Sequence, residues 1–168
     1  MGYVGSYIWK LRQKVGDMRL LSASAGVVCV GEDGKILMVY NHKDLDRWAF
    51  PAGGVEEGLS WGQVAAKELL EEGGLTVRPE DLVPFVTLSG SKYVYEYDDG
   101  NVQSFTLYFV ARKFEKDDTE LDKEEISKVK WMSVEEAKNL PKSLSAIHIL
   151  SAYEKWSETG EFQQVVIE

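Results

Sequence analysis

The sequence predicts an α+β fold in which β-strands pack against helices. Short runs of β-branched and aromatic residues are separated by turn residues, and amphipathic runs with helical spacing occur near both ends and in the middle of the chain. The 168 residues match the size of one domain, and 44% hydrophobic content is ordinary for a globular protein. We expect a single domain over residues 1–168, with an N-terminal helical extension at 1–21 and a C-terminal helix and tail at 143–168.

The first part of the chain predicts a helix, a hairpin and a short strand. Residues Tyr7 to Val15 have the pattern of a short amphipathic helix. Strands are predicted at Ser22 to Val30 and Lys35 to Tyr40, and the turn Glu32-Asp33-Gly34 makes them a hairpin. Arg47 to Phe50 is a further short strand, which leads into a glycine-rich segment.

The second part predicts further strands and two closing helices. The strands are Val83 to Leu88, Tyr93 to Tyr97, Val102 to Phe114 and Lys128 to Met132, with a turn at Asp98 to Asn101. The helices are Val134 to Asn139 and, after Pro141, Ser143 to Ser157.

Charge and composition exclude several classes of function. The formal net charge is -9, from 28 acidic and 19 basic residues, so duplex nucleic acid is not an expected partner. The sequence contains neither a long uncharged apolar stretch nor a secretory signal pattern, which predicts a cytoplasmic protein with no membrane partner. Cys29 is the only cysteine, so it forms no internal disulfide, and its apolar neighbours predict that it packs as a small hydrophobe.

The most informative segment runs from Gly53 to Leu75, where three carboxylates share one face of a predicted helix. Glu68, Glu71 and Glu72 stand at relative positions i, i+3 and i+4. Because like charges at this spacing repel, we expect a cation between them. Carboxylate oxygens suit Mg2+ or Mn2+, whose coordination is often completed by substrate phosphates.

The residues around these glutamates predict how the helix is positioned. Ser60 is the predicted N-cap, and Gly73-Gly74 is the predicted end. Trp61, Ala65 and Leu69 recur every four residues and predict a buried stripe that turns the glutamates toward a groove.

This segment resembles the Nudix box, the signature of the Nudix hydrolases. The box reads G, five residues, E, seven residues, then R-E-U-x-E-E-x-G-U with U aliphatic, and it fits this sequence without gaps. Gly53 stands at the first glycine, Glu68 at the glutamate of R-E, and Glu71 and Glu72 at E-E. Flanking residues extend the resemblance over roughly residues 22 to 140, which implies an α/β/α sandwich with a mixed β-sheet.

Two positions depart from the box. Leu59 replaces its first glutamate, and Lys67 replaces its arginine. Lysine keeps the charge but loses the planar fork of donors, which affects how Glu68 is oriented. The two departures are either a compensated pair or the mark of a weakened site.

The resemblance implies roles for individual residues. Glu71 and Glu72 are expected to bind the metal, Glu68 to act as a ligand or general base, and Ala52 to bind the metal through its carbonyl oxygen. Lys67 is expected to assist Glu68 in catalysis. The implied reaction is attack of metal-activated water on a phosphoanhydride of a nucleoside diphosphate linked to another group, such as ADP-ribose, a dinucleotide, a nucleotide sugar or a noncanonical triphosphate.

Other candidates lie around the box. The expected contacts to a nucleotide substrate are Arg47, Trp48, Tyr93, Gly53 and Gly54, and Lys43 and Lys92 are further candidates for phosphate contacts. Secondary candidates for metal contacts are the loop residues Glu56 and Glu57 and, outside the box, Glu124 and Glu125. Tyr93, Tyr95 and Tyr97 alternate on one strand face and predict either a pocket wall or a dimer surface.

Two other classes of function stay open at this point. A site weakened by Leu59 and Lys67 would be a nucleotide-binding sensor or regulator rather than an enzyme, but the presence of Glu68 favours catalysis. A calcium-binding structural domain is disfavoured, because the alternating oxygen ligands of a dedicated loop are missing. The apolar residues of segment 1–21 are expected to pack on their own domain or on a partner, and the resemblance to Nudix hydrolases favours a homodimer.

Overall fold

Helices cover both faces of a central β-sheet in the computed structural model, which describes residues 6–42, 46–117, 121 and 124–168. The helices are α1 (Tyr7–Val15), α2 (Trp61–Gly73), α3 (Val134–Lys138) and α4 (Leu144–Thr159). The strands are β1 (Leu20–Cys29), β2 (Ile36–Asn41), β3 (Arg47–Ala49), β4 (Ala52–Gly54), β5 (Leu75–Thr76), β6 (Val83–Ser89), β7 (Val94–Tyr95), β8 (Val102–Ala111), β9 (Glu115–Lys116), β10 (Ile126–Met132) and β11 (Gln163–Val166).

The central sheet is mixed, as the resemblance to Nudix hydrolases implies. Its strand order is β11-β6-β8-β1-β4, and β7 also pairs with β8. The long strands β1 and β8 run parallel, whereas β4 pairs antiparallel with β1 and β6 antiparallel with β8. In the described residues β4 therefore forms one edge of this sheet.

Successive residues of the central strands point to opposite faces of the sheet, and each face carries its own apolar core. Val28 and Val110 belong to the core that includes Ile149 of α4. Val27 and Phe109, their neighbours in sequence, belong to the core on the other face. Since α2 supplies Leu69 to that second core, the two helices enclose the sheet, and the predicted α/β/α sandwich is confirmed.

The predicted hairpin of the first two strands is wrong. Among the described residues, β1 and β2 share only the bridge between Val30 and Ile36. Strand β8 pairs along all of β1 on one side, and β4 pairs with Ser24 to Gly26 on the other, so these two strands rather than β2 are the partners of β1. Strand β2 forms a second, antiparallel sheet in the order β10-β2-β3.

Several element boundaries also differ from the prediction. The residues at the start of the Nudix box form strand β4. The C-terminal tail forms strand β11, which pairs parallel with β6. Of the predicted stripe on α2, Ala65 and Leu69 are fully buried, but Trp61 is 38% exposed. Val64, one turn further along, takes its place in the core because it faces the sheet.

In the part of the chain that the structure describes, no helix has the length and apolar character needed to cross a membrane.

Cys29 lies on β1, and its side chain is fully buried in the core beneath α2. Burial raises the pKa of its thiol to about 12, and this effect is opposed only by a hydrogen bond from the backbone of Val30. The placement confirms the prediction of a small hydrophobe.

We expect the Cys29 thiol to be unreactive in the folded protein, because the thiolate is the reactive form and is disfavoured by burial. Titration with a chromogenic disulfide reagent near neutral pH should detect no thiol in the native protein and one thiol per chain after denaturation. Rapid native labelling would show that this part of the core opens.

Candidate active site

Local interactions at both ends fix the position of α2, the helix that carries the box glutamates. The Ser60 side chain accepts a hydrogen bond from the backbone of Gln63, and the Gln63 side chain accepts one from the backbone of Ser60. Gly74 ends the helix in a left-handed conformation, with φ at 67°. The predicted caps are thus confirmed, and they define where each glutamate points.

The edge strand β4 allows α2 to approach closely. Gly53 pairs with Ala25 of β1, and a side chain at position 53 would overlap the carboxylate of Glu68. The missing Cβ of the first glycine leaves the space that the Glu68 carboxylate fills, so a side chain at this position would require the carboxylate to move.

A cavity of about 260 Å³ opens at this edge of the sheet. It is lined by the box residues Glu68, Glu71 and Glu72, and also by Glu125 from the segment before β10. The volume is slightly below the range of about 300 to 1,000 Å³ that is usual for small-molecule sites. The structure thus brings the predicted carboxylates together in one concave site.

Glu72 is the most deeply placed of these carboxylates, since the residue is only 6% exposed. Its Oε2 accepts a hydrogen bond of 3.2 Å from the backbone N–H of Ala52. This bond joins α2 to the strand whose carbonyl oxygen is the predicted backbone ligand.

Glu68 lies in the cavity wall in a partly buried position. Burial raises the pKa of this carboxyl group to about 7, partly offset by the charge of Lys67 and reinforced by Glu71, Glu125 and Glu56. An acidic group in such surroundings carries the electrostatic cost of neighbouring like charges, which a bound cation would remove.

Lys67 connects two carboxylates at the mouth of the site. Its Nζ donates to Glu56 Oε1 at 2.9 Å and to Glu71 Oε2 at 3.1 Å. Burial lowers the pKa of Lys67, but the two hydrogen bonds and the charges of Glu68 and Glu71 together outweigh it, and the net shift is upward. Leu59, at the position where the box has a glutamate, packs instead against the core beneath α2. Glu56 thus supplies Lys67 with the carboxylate partner that Leu59 cannot provide.

The carboxylate from outside the box is held by the second sheet. The Asn41 side chain donates to Glu125 Oε1 at 2.6 Å, where β2 meets the start of β10. Of the two predicted candidates Glu124 and Glu125, only Glu125 lines the cavity; Glu124 is exposed.

Only some of the other residues predicted to contact the substrate or metal line the cavity. Tyr93, Gly53, Gly54 and Glu56 line the cavity. The residues Arg47, Trp48, Glu57, Lys92 and Glu124 are described by the structure but do not line it, so their roles stay predictions. Trp48 packs edge-on against Tyr40. Lys43 lies outside the described residues.

Sequence reasoning missed a chain of hydroxyl groups in the cavity wall. Ser24 and Ser104 lie 3.2 Å apart through their Oγ atoms, and Ser104 and Tyr93 each lie 3.1 Å from the Thr106 hydroxyl. The alternation of Ser104 and Thr106 on β8 is visible in the sequence, but only the parallel register with β1 brings Ser24 beside them.

Metal-binding geometry is not fully assembled in this structure. Within the described ranges, no group of three or more His, Cys, Asp or Glu side chains converges closely enough to hold an ion. The donor set nevertheless fits a hard divalent cation, since it consists of carboxylate and carbonyl oxygens around a concave surface.

Comparison with known proteins agrees with this site. The family model described as the NUDIX domain matches residues 20–153. The chain therefore belongs to the NUDIX domain family. No curated protein sequence matches it. Members of this family generally use divalent metal ions.

Three solved structures illustrate the shared fold. A mutator MutT protein from Bacillus halodurans is 21% identical, with a TM-score of 0.59 over 77% of this chain and 80% of that one. An ADP compounds hydrolase is 17% identical, with a TM-score of 0.63 over 82% and 74% of the two chains. A C. elegans Ap4A hydrolase is 20% identical, with a TM-score of 0.51 over 82% and 98%.

We expect Gly53→Ala to lower hydrolytic activity by about 100-fold, because a Cβ would displace the Glu68 carboxylate and small misplacements of catalytic groups have effects of this size. Gly62→Ala is the matched control: it lies on α2 outside the cavity lining, and its nearest neighbour atom is 3.4 Å from the added Cβ. Steady-state kinetics of both variants checks this. Equal activity in the two variants would contradict the role of Gly53.

We expect Glu56→Gln to lower activity by about 10-fold, the usual cost of losing a partner of a metal ligand, because Lys67 would lose one of its two carboxylates. Glu57→Gln makes the same charge change one residue away, outside the cavity lining, and should have a smaller effect. Equal losses would show that the net charge of the loop matters, not the pairing with Lys67.

Proposed function

We propose that this protein hydrolyses a phosphoanhydride bond in a nucleoside diphosphate linked to another group, with Mg2+ or Mn2+ as the metal. The observation that carries this proposal is the convergence of Glu68, Glu71, Glu72 and Glu125 on one cavity. Two proteins of the same fold are named as hydrolases of ADP compounds and of Ap4A, which supports a substrate of this class.

The metal would be held by Glu71 and Glu72, with the carbonyl oxygen of Ala52 completing the protein ligands and Glu68 beside it as the general base. When bound, it supplies charge neutralisation for the phosphates and lowers the pKa of a water molecule. The only positively charged side chain among the described lining residues, Lys67, already bonds two carboxylates. Phosphate charge is therefore a task for the metal rather than for a basic side chain.

The chain's own residues divide the remaining work. Glu68 accepts the proton of the attacking water, since its carboxylate is held in place against Gly53. The hydrogen bond from Ala52 orients Glu72 toward β4. Lys67 lines the cavity and orients Glu71 through its hydrogen bond, and its second bond goes to Glu56.

The alternative is a nucleotide-binding sensor without turnover. The altered box positions 59 and 67 motivate it, whereas the pairing of Lys67 with Glu56 supports a compensated site and so favours catalysis. We therefore rank hydrolysis first.

We further propose one domain over residues 1–168 that assembles as a cytoplasmic homodimer. Leu21 and Phe105, exposed by 64% and 40% on adjacent strands, offer apolar surface to a second copy.

The test is product release from ADP-ribose, dinucleotides, nucleotide sugars and noncanonical triphosphates in the presence of Mg2+ or Mn2+. We expect metal-dependent hydrolysis of one or two of them, reduced by about 100- to 10,000-fold in Glu68→Gln and Glu72→Gln, the size of a lost base or ligand. Glu158→Gln, an exposed glutamate on α4 that does not line the cavity, is the control and should behave as wild type.

A second readout in the same experiment is thermal unfolding with and without Mg2+. Binding to the native state should raise the melting temperature of the wild type and of Glu158→Gln, and raise that of Glu72→Gln less. Binding of nucleotides without turnover of any would establish the sensor alternative.

A further inference from the structure

Part of the cavity wall comes from outside the family domain. The family match begins at residue 20, but Ser6, Tyr7 and Ile8 at the start of α1 line the same cavity as the box glutamates. Tyr7 is 49% exposed, so its side chain is not part of the core. An element that the family model does not include thus contributes directly to the site.

Arg12 holds α1 in this position. The residue is only 5% exposed, and its guanidinium donates to the carbonyl oxygens of Met18 at 2.6 Å, Gly16 at 2.9 Å and Asn101 at 3.3 Å. Its Nε also lies 3.8 Å from the Asp99 carboxylate. A buried charge with several charge-assisted bonds is costly to leave without them, so these contacts fix α1 against the turn that joins β7 and β8.

The turn itself is shaped around this arginine. Gly100 adopts φ of 120°, and a Cβ there would come within 2.7 Å of Arg12 Nη1 and 2.9 Å of the Asp17 carbonyl oxygen. Only glycine adopts this conformation easily and leaves room for the guanidinium. The same turn ends the segment that carries Tyr95 and Tyr97, so α1 and the tyrosines are held as one unit.

The recess beside α1 differs chemically from the metal end of the cavity. Tyr95 and Tyr97 stack with ring centroids 6.4 Å apart and planes inclined by 28°, and Tyr93 joins the hydroxyl chain of Ser104 and Thr106. Among the described lining residues, the charged side chains are those of the box segment, residues 53–75, and that of Glu125. Aromatic faces and neutral hydroxyls suit an uncharged group that has a π-face and hydroxyls of its own, which is the chemistry of a nucleoside.

We propose that α1 forms the outer wall of a nucleoside-binding recess and that Arg12 is the positioning residue that holds it there. This inference rests on the proposed function, since it assigns the nucleoside of the substrate to the recess and its diphosphate to the glutamates. Substrate selection then depends on an N-terminal helix that lies before the family domain, and Tyr7 contacts the bound nucleoside.

The test measures binding of AMP, GMP, CMP and UMP by calorimetry, with Mg2+ binding measured separately. For the monophosphate that binds best, Arg12→Ala and Tyr7→Ala should each weaken affinity by about 10-fold, within the range for loss of a base–aromatic contact. Their Mg2+ affinity should be unchanged. Lys14→Ala, which removes an exposed cation from the same helix, is the control and should bind as wild type.

For any substrate that the wild type hydrolyses, Arg12→Ala should raise KM and leave kcat within about twofold. The lost contact stabilises the bound substrate and the transition state equally, so its removal weakens binding without slowing the chemical step. Arg12→Lys should recover part of the affinity. If Arg12→Ala does not fold, Tyr7→Ala decides the question alone. Wild-type nucleotide affinity in Tyr7→Ala, or failure of the wild type to bind any of the four monophosphates, would overturn the proposal. Nucleotide binding through α1 without hydrolysis would refute only the enzymatic proposal.

Discussion

The site depends on the contact between a helix glutamate and a glycine of the edge strand. Glu68 fills the space that a side chain at Gly53 would occupy, so α2 lies close enough to β4 for Glu72 to accept the Ala52 N–H. Strand β4 is in turn held on β1 by pairing of Ala25 with Gly53. One missing Cβ thus allows the helix, the edge strand and the carboxylates to share a single cavity.

This arrangement stores electrostatic repulsion in the folded protein. Glu68 is partly buried near Glu71 and Glu125, and its carboxyl pKa is raised to about 7 mainly by burial. Packing of the sheet and helices compensates for this cost, as is common where carboxylates are gathered for metal binding. Lys67 relieves part of the repulsion, since it donates hydrogen bonds to Glu56 and Glu71 and its charge lowers the pKa of Glu68.

The structure shows where the two departures from the Nudix box lie. Leu59 packs into the core, and Glu56, three residues earlier in the loop, meets Lys67 instead. A lysine is sufficient for this geometry because its flexible stem reaches both carboxylates, whereas an arginine fork favours two oxygens of one partner. A lysine at position 67 therefore still pairs with two carboxylates of this segment.

The sequence by itself determined the local features: the ends of α2, the three carboxylates on one helical face, the positions of most strands and the mixed α+β class. These follow from capping chemistry and from hydrophobic periods, which act within a few residues. Only the tertiary structure decided that β1 pairs with β8 and β4 rather than with β2, that Glu125 joins the box glutamates, and that Arg12 ties α1 to the cavity. Arg12 and Asn101 are far apart in the chain, and competition among strands for the edges of β1 depends on the whole sheet. No local pattern contains either relation, because both arise from packing between segments distant in sequence.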